Sequence, residues 1–266
     1  MKRILFFILL LYNSTTIIAQ ETIDRVKHRF IYEAIYKNTV EGGKKKDIHN
    51  LDIGEHCSYF YSANRRREKE IIDSINHTGS VSIDLLRRAT KDISGGRDLH
   101  IYKEVPKEGM LTFIGGRYEL YTYEEPKAEL IWQMEMRDTT ILGYKCQAAT
   151  AELRGRTWHV WYAEDIPISD GPWKLWGLPG LIMKAEESEG IYSFSCIGIE
   201  NGNEEPISIN KKNVIKSTPK EIQKLDIKYY RESIHGLGEE IAAQFIREYG
   251  GDGYETPILI EDYEKK

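Results

Sequence analysis

The chain has 266 residues, and its 37 basic and 42 acidic side chains leave a formal net charge of −5. This acidic balance provides no general attraction to nucleic acid, so we exclude nucleic-acid binding from the expected functions. The length is sufficient for a sizeable hydrophobic core, and we expect a single domain over residues 20–266.

The first 19 residues have the pattern of a secretory signal peptide. Lys2 and Arg3 precede an apolar run from Ile4 to Tyr12, and the small residue Ala19 marks the expected cleavage point. The run is too short to cross a bilayer, which makes a single-span anchor the weaker alternative, and no later stretch is long enough. Cleavage would leave 35 basic and 42 acidic residues, a net charge of −7. We therefore expect an exported protein, periplasmic or secreted, without a transmembrane segment in the mature chain.

Three cysteines, Cys57, Cys146 and Cys196, would reach a compartment in which disulfides persist. One bridge can form and would leave one thiol over or paired between chains, and the sequence does not determine the pairing. Their spacing is unlike a C-x-x-C metal or redox motif. This pattern favours buried structural cysteines over catalytic ones.

The first predicted elements are two strands followed by two helices. Apolar and polar residues alternate from Arg29 to Tyr36, which predicts a strand with one buried face. A second strand is predicted over residues 49–63. Apolar residues in 71–75 recur at helical spacing, and another predicted helix over 82–93 ends before a Gly-Gly pair. We expect these helices to be an excursion from a sheet.

The middle of the chain predicts further antiparallel strands. Residues 100–136 consist of short aromatic and β-branched runs separated by Pro and Gly, the pattern of a meander. Strands over 141–153 and 156–163 form a predicted hairpin whose turn is Arg154-Gly155. The second of these strands carries aromatic bulk on both faces. One face should meet the core, and the other should meet the following loop, a helix or a ligand.

The stretch from Trp158 to Ile182 contains four of the five tryptophans and two predicted turns. In the second turn, Pro179 presets φ for the first central position of a type II turn, and Gly180 supplies the positive φ of the next. Tryptophan buries a large area and still needs a partner for its indole N–H. We therefore expect a structured plug packed on the sheet rather than a mobile lid.

The C-terminal part begins with strands and ends with helices. Strands are predicted over residues 181–186 and 191–197. Thr218-Pro219-Lys220-Glu221 then has the form of a capping box with Pro at the first helical position. Two helices joined near Gly236 are predicted up to Gly250-Gly251. The tail over 254–266 is either a short strand at 258–260 or a flexible segment.

The central motifs resemble the GLPGLI family, named for the hexapeptide that stands here at Gly177–Ile182. The likeness is strongest from about Ile141 to Ala185, and it extends over several shorter motifs in order and at similar spacing. These are Gly143-Tyr144-Lys145-Cys146, Arg154-Gly155-Arg156, Trp161-Tyr162, Ile166-Pro167 and Gly171-Pro172. The resemblance implies an exported protein of the Bacteroidetes group, in a family with no assigned biochemical activity.

The predicted fold class is α+β, with a curved, half-barrel-like antiparallel β-sheet and with inserted and C-terminal helices. The layout is similar to the half-barrel of periplasmic lipoprotein carriers. Such a fold likeness does not by itself transmit function.

Motifs for catalysis and metal binding are weak. The sequence contains no G-x-S-x-G elbow, H-E-x-x-H motif, P-loop or dinucleotide-binding glycine fingerprint. Glu164, Asp165 and Asp170 place three carboxylates beside the plug, and His159 is near them in sequence, but carboxylates on a loop usually face solvent. Arg154 and Arg156 could clamp an anion, although a polar hairpin tip needs no such purpose. We assign no catalytic residue and expect no metal and no cofactor.

Two functions from different classes follow. The favoured one is a non-enzymatic binding or interaction module in the cell envelope, which takes an apolar ligand or a protein partner. Its hypothetical binding residues are Trp158, Trp161, Trp173, Trp176, Gly177, Leu178, Pro179 and Gly180, although such apolar clusters are more often core than site. The alternative is a hydrolase-like exported enzyme that uses Asp165, Asp170 and His159, which requires these three side chains to converge.

Overall fold

The computed structural model describes residues 21–37, 43–77, 82–91, 93, 96, 98–116, 119–225 and 228. Most of these residues belong to a twelve-stranded, largely antiparallel sheet, and two more strands form a small second sheet. The fourteen strands are β1 (Glu21–Arg25), β2 (His28–Tyr36), β3 (Lys45–Ile53), β4 (Ser58–Ser62), β5 (Leu99–Lys103), β6 (Met110–Gly115), β7 (Leu120–Pro126), β8 (Gln133–Ile141), β9 (Tyr144–Leu153), β10 (Arg156–Ala163), β11 (Leu181–Glu187), β12 (Tyr192–Asn201), β13 (Pro206–Ile209) and β14 (Val214–Lys216). Two helices, α1 (Ala63–His77) and α2 (Ile83–Ala89), lie between β4 and β5.

The order of strands forces the main sheet to curl. It runs β14-β7-β6-β5-β4-β3-β2-β12-β11-β10-β9-β8, so β7 and β8 lie near opposite ends although they are consecutive in sequence. Residues 127–132 alone connect them. Seven Cα steps of about 3.8 Å limit the distance from Pro126 to Gln133 to about 27 Å. The sheet is therefore strongly curved but not closed, and we call the gap between its β7 and β8–β9 ends the seam.

The inner face of this sheet carries the main hydrophobic core. Phe30, Tyr32, Ala34 and Tyr36 are all buried there, which confirms the period-two alternation predicted for the first strand. The sequential hairpin β9–β10 contributes Trp158, Val160 and Tyr162 to the same cluster. Its turn is confirmed as well, since Arg154 and Gly155 both have positive φ, as a two-residue type I′ turn requires.

A second, smaller core lies on the outer face, where β1 and β13 pair with each other. Its centre is a stack of three rings: Tyr59 lies 4.4 Å from Tyr61 and 4.4 Å from Tyr102, measured between centroids. Ile207 and Ile209 of β13 are buried in the same cluster. Both faces of the sheet are therefore covered in this region.

Two predicted boundaries need correction. The single strand predicted over 49–63 is divided into β3 and β4, because the chain turns at residues 54–57. Asp24 holds this turn by accepting hydrogen bonds from the backbone N–H groups of His56 and Cys57. The helical excursion consequently follows the fourth strand rather than the second. The predicted meander is confirmed for β5 to β7, whereas β8 lies at the other end of the sheet.

The C-terminal capping box is confirmed. Glu221 N donates to Thr218 Oγ1 at 3.3 Å, and Thr218 N donates back to the Glu221 carboxylate at 3.0 Å. Residues 219–225 are helical. The predicted signal peptide, the helices predicted after residue 228 and the tail over 254–266 lie outside the described residues. No helix of the described part has the length and apolar character needed to cross a membrane.

All three cysteines are buried and free, so no intrachain disulfide forms. Burial raises the pKa of Cys57 to about 12 and that of Cys196 to about 11. Burial also raises the pKa of Cys146. Because thiolates are the reactive species, these cysteines behave as small apolar core residues.

Helix α1 is attached to the sheet through Asp98. The Asp98 carboxylate lies 2.6 Å from Lys69 Nζ of α1 and 2.9 Å from His100 Nε2 of β5. Burial by itself would raise the pKa of Asp98, but the hydrogen bonds with His100 and Lys69 outweigh it and lower the pKa to about 2. The ionised carboxylate is therefore stabilised in the folded state.

We predict that Asp98 contributes stability that is lost in acid. Its pKa falls from the ordinary 3.8 to about 2 on folding, so its contribution is complete above pH 3.8 and disappears as the pH falls to 2. Urea unfolding of the wild type and Asp98→Asn should show a stability difference at pH 5 that narrows between pH 4 and pH 2. A difference that is independent of pH would contradict this assignment.

Candidate functional site

The segment between β10 and β11, residues 164–180, fills part of the inner face, and we call it the plug. Trp173, Leu175 and Leu178 of the plug are buried in the main core. The Trp173 ring lies 5.3 Å from that of Trp158 on β10. The predicted structured plug is therefore what the chain forms.

A buried lysine of the sheet holds the plug. Lys103, on β5, is 2% exposed, and its ammonium group donates to the Asp170 carboxylate, to the Gly171 carbonyl at 2.6 Å and to the Leu175 carbonyl at 3.2 Å. These acceptors match the three donors of an ammonium group. Burial lowers the pKa of Lys103, while the Asp170 carboxylate opposes that shift. The lysine is thus fully engaged in organising the plug, with no donor left for a ligand.

Asp170 is equally engaged. Besides Lys103, it accepts hydrogen bonds from Ser58 Oγ at 2.5 Å and from the Gly171 backbone N–H at 2.6 Å. Ser58 and Lys103 are directly opposite each other on β4 and β5. Sequence reasoning missed both residues. The sequence signal that could have identified Lys103 is the alternation of the strand: Lys103 follows Leu99 and Ile101 at every second position, which places it on the inward face.

A second lysine ties the plug to β7 across the seam. Lys174 Nζ donates to Tyr123 OH at 2.8 Å and to the Glu125 carboxylate at 2.6 Å. Glu125 also accepts from Arg154, at the β9–β10 turn, at 2.9 Å. One carboxylate on β7 therefore binds both the plug and a hairpin from the opposite end of the sheet.

The connection from β7 to β8, residues 127–132, crosses the plug as a strap. Trp132 Nε1 donates to the Trp176 carbonyl at 3.0 Å, and Trp176 Nε1 donates to the Ala128 carbonyl at 2.8 Å. Lys127 Nζ lies 3.8 Å from the centroid of the Trp176 ring. Each indole N–H of this pair thus has the partner that a partly buried tryptophan needs.

The type II turn predicted at Pro179-Gly180 is wrong. Positive φ occurs in the plug at Trp173 and Gly177, not at Gly180. Gly180 is required for another reason: a Cβ at this position would lie 2.1 Å from the carbonyl oxygen of Ala163. The constraint is close approach of two backbone segments.

The predicted binding residues are divided among different surroundings. Trp158, Trp173, Leu178 and Gly180 are buried, Trp161 and Trp176 are partly exposed, and Gly177 and Pro179 are exposed. Trp161 lies on the alternate face of β10, where the charged groups of Arg137 and Lys184 lie 5.8 Å and 4.9 Å from its ring centroid. The eight residues do not form one continuous surface.

The side chains of the alternative hydrolase hypothesis are not brought together. His159 bonds to Thr150 at 3.2 Å, Asp170 is held by Ser58 and Lys103, and Asp165 is exposed. Among the described residues no hydrogen bond joins any two of His159, Asp165 and Asp170.

The proposed anion clamp is also engaged elsewhere. Arg154 pairs with Glu125, and Arg156 lies 3.0 Å from Glu187 and 3.2 Å from Glu189. These carboxylates offset both guanidinium charges. The described part of the chain contains no group of three or more metal-ligating side chains.

At the seam, several apolar side chains of the strap and of strand β8 are exposed. We call these side chains the edge surface. Ile131 is 81% exposed, Met134 is 57% exposed, Met136 is fully exposed and Leu142 is 48% exposed. Strand β8 pairs with β9 alone, and its register shifts between Glu135 and Asp138. Such an irregularity, flanked by charges, disfavours the addition of another strand but leaves the side chains accessible.

Comparisons with known proteins agree on a fold rather than an activity. A family model described as a protein of unknown function (Porph_ging) matches residues 152–184, which span the end of β9, all of β10, the plug and the start of β11. No curated protein matches the chain. A structure of PNGF-II in space group C2 is similar with a TM-score of 0.50 and 13% identity, over 74% of this chain and 32% of that one. Its P21 structure has a TM-score of 0.47 and 12% identity, with the same coverage. The chain thus spans about a third of PNGF-II, and the likeness concerns the fold alone.

We predict that Lys103→Met destabilises the protein by about 3–5 kcal/mol, because it leaves the poorly accessible Asp170 carboxylate without its cation. Urea unfolding should measure this loss. The matched control is Lys27→Met, since Lys27 forms an exposed ion pair with Glu204 and should barely affect the unfolding midpoint. Equal effects of the two substitutions would show that Lys103 does not hold the plug.

We also predict that Gly180→Ala destabilises the fold by about 1–3 kcal/mol, the usual cost of forcing extra atoms into a packed site. Thermal unfolding should show the loss. Gly43→Ala is the control, because a Cβ at Gly43 has no atom within 4 Å. If Gly180→Ala melts like Gly43→Ala, the contact with Ala163 is not a constraint.

Proposed function

We propose that this chain is an exported, non-enzymatic interaction module that binds a protein partner in the cell envelope through the edge surface. The observation that carries the proposal is the exposure of Ile131, Met134 and Met136 along the strap and strand β8, at one end of the sheet. Apolar side chains grouped on a surface are typical of protein interaction sites.

The packing of the interior favours a protein partner over an apolar ligand. Trp158 and Trp173, expected as the wall of a binding groove, are 0% and 1% exposed because the plug packs against the sheet. A ligand in their place would have to displace Leu175 and Leu178, which are buried with them. Lys103 and Lys174 fasten that same segment through hydrogen bonds.

The proposal includes export and family. The pattern Lys2-Arg3, an apolar run and Ala19 supports a cleaved signal peptide. The hexapeptide at Gly177–Ile182 supports a GLPGLI-type protein of the Bacteroidetes group, and it lies within the segment that the family model of unknown function matches. N-terminal sequencing of the protein from its host should find Gln20 as the first residue if this part of the proposal is correct.

Photocrosslinking in the host tests whether a protein partner binds at the edge surface. A photoreactive amino acid at position 136 should yield an adduct of protein size. The adduct should be lost when Ile131→Gln and Met134→Gln are introduced together, because the apolar contact area is removed. The control is Ile197→Gln, which changes an exposed apolar residue of β12 away from the edge surface and should leave the adduct unchanged.

Two outcomes would overturn the proposal. One is an absence of adduct, or an adduct that persists in the Ile131→Gln, Met134→Gln protein. The other is an excess mass in native mass spectrometry that denaturation releases as a small apolar molecule, which would favour a carrier instead.

A further inference from the structure

The outer-face tyrosine stack contains a hydrogen-bonded relay that the proposed function does not use. Tyr59 OH lies 2.6 Å from His100 Nδ1, and His100 Nε2 lies 2.9 Å from an Asp98 carboxylate oxygen. The other Asp98 oxygen lies 2.6 Å from Lys69 Nζ. Four side chains from β4, β5, α1 and the residue before β5 thus form one continuous chain of polar contacts.

The partners determine the roles of the imidazole nitrogens. Asp98 has a pKa lowered to about 2, so its carboxylate accepts and Nε2 of His100 must carry a proton. Nδ1 is then the acceptor for the Tyr59 hydroxyl in the neutral ring. The distance of 2.6 Å is short enough for direct proton transfer from the phenol to the imidazole.

Tyr59 also has the surroundings of an electron donor. Its ring is 8% exposed and stacks against Tyr61 and Tyr102 at 4.4 Å on both contacts. Because burial raises the pKa of Tyr59, the side chain remains a neutral phenol rather than a phenolate. Losing an electron makes a phenol strongly acidic, so a base at hydrogen-bond distance favours its oxidation. The buried position keeps the product away from the tyrosines of other protein molecules.

We propose that Tyr59 is a redox-active tyrosine that a one-electron oxidant, such as a peroxyl radical, converts reversibly to a neutral tyrosyl radical. One electron passes from the Tyr59 ring to the oxidant, the phenolic O–H bond breaks, and the proton moves to His100 Nδ1. The products are a neutral radical and an imidazolium that Asp98 stabilises. A one-electron reductant such as an enediol of the ascorbate type returns the electron and is itself oxidised to its radical, and His100 returns the proton to the phenolate oxygen.

This site differs from the neighbouring tyrosines in its proton acceptor. Tyr102 OH donates to the Ser208 carbonyl at 3.0 Å, and Tyr61 OH donates to Asp52 at 3.1 Å and accepts from Arg66 and Asn50. A peptide carbonyl cannot hold a full proton, and the Asp52 carboxylate is already paired with Arg29. Tyr59 is therefore the member of the stack with an imidazole as its partner.

The test uses the full chain with photogenerated ruthenium(III) tris-bipyridine as the oxidant. Electron paramagnetic resonance of freeze-quenched samples should detect a long-lived tyrosyl radical in the wild type. Tyr59→Phe should lose most of this signal, whereas Tyr61→Phe, which removes a hydroxyl of the same stack that donates to Asp52, should retain it. Circular dichroism and thermal unfolding establish that each variant is folded.

A second variant tests the proton acceptor. His100→Ala should slow radical formation, and free imidazole should restore it, because His100 is partly accessible to solvent with 24% of its side chain exposed. The proposal is overturned if Tyr59→Phe leaves the long-lived radical unchanged, if Tyr61→Phe removes it equally, or if imidazole fails to restore radical formation in the folded His100→Ala protein.

Discussion

The ammonium group of Lys103 is the constraint on which the arrangement of the inner face depends. A buried cation is stable only when acceptors surround it, and here the acceptors are Asp170 and two backbone carbonyls of the plug. Since these carbonyls come from Gly171 and Leu175, the cation determines the path of the plug as well as its position. Trp173 lies between them, and its positive φ turns its ring toward Trp158.

The curl of the sheet creates the need for that plug. An open sheet whose ends are joined by residues 127–132 must enclose space between its edges, and apolar inner faces cannot remain against water. The plug supplies the apolar filling, while Glu125, Lys174 and Arg154 supply the polar contacts where the ends approach. The same six-residue connection provides Ala128 and Trp132 as partners for Trp176. The strand order therefore brings these polar contacts together at the seam.

Local patterns predicted much of this architecture, and long-range contacts account for what they missed. Alternation identified the buried face of β2, and the turn residues identified the β9–β10 hairpin. Alternation after Leu99 and Ile101 assigns Lys103 to the inward face, but it cannot identify the acceptors, because they are about 70 residues away in sequence. The same holds for Gly180, whose requirement arises from Ala163 in the preceding strand rather than from a turn. The tryptophan cluster was identified, but its division between core and surface depends on the curl.

The division of the tryptophans also determines which surfaces remain for function. A wall of aromatic residues predicted from sequence becomes a binding site only if the space before it stays open, and here Leu175 and Leu178 occupy that space. The apolar residues left at the surface belong to strap and β8, where the irregular register and the flanking charges Glu135 and Arg137 oppose strand pairing. Met136 is fully exposed beside these charges, so the edge surface remains the accessible apolar area at this end of the sheet.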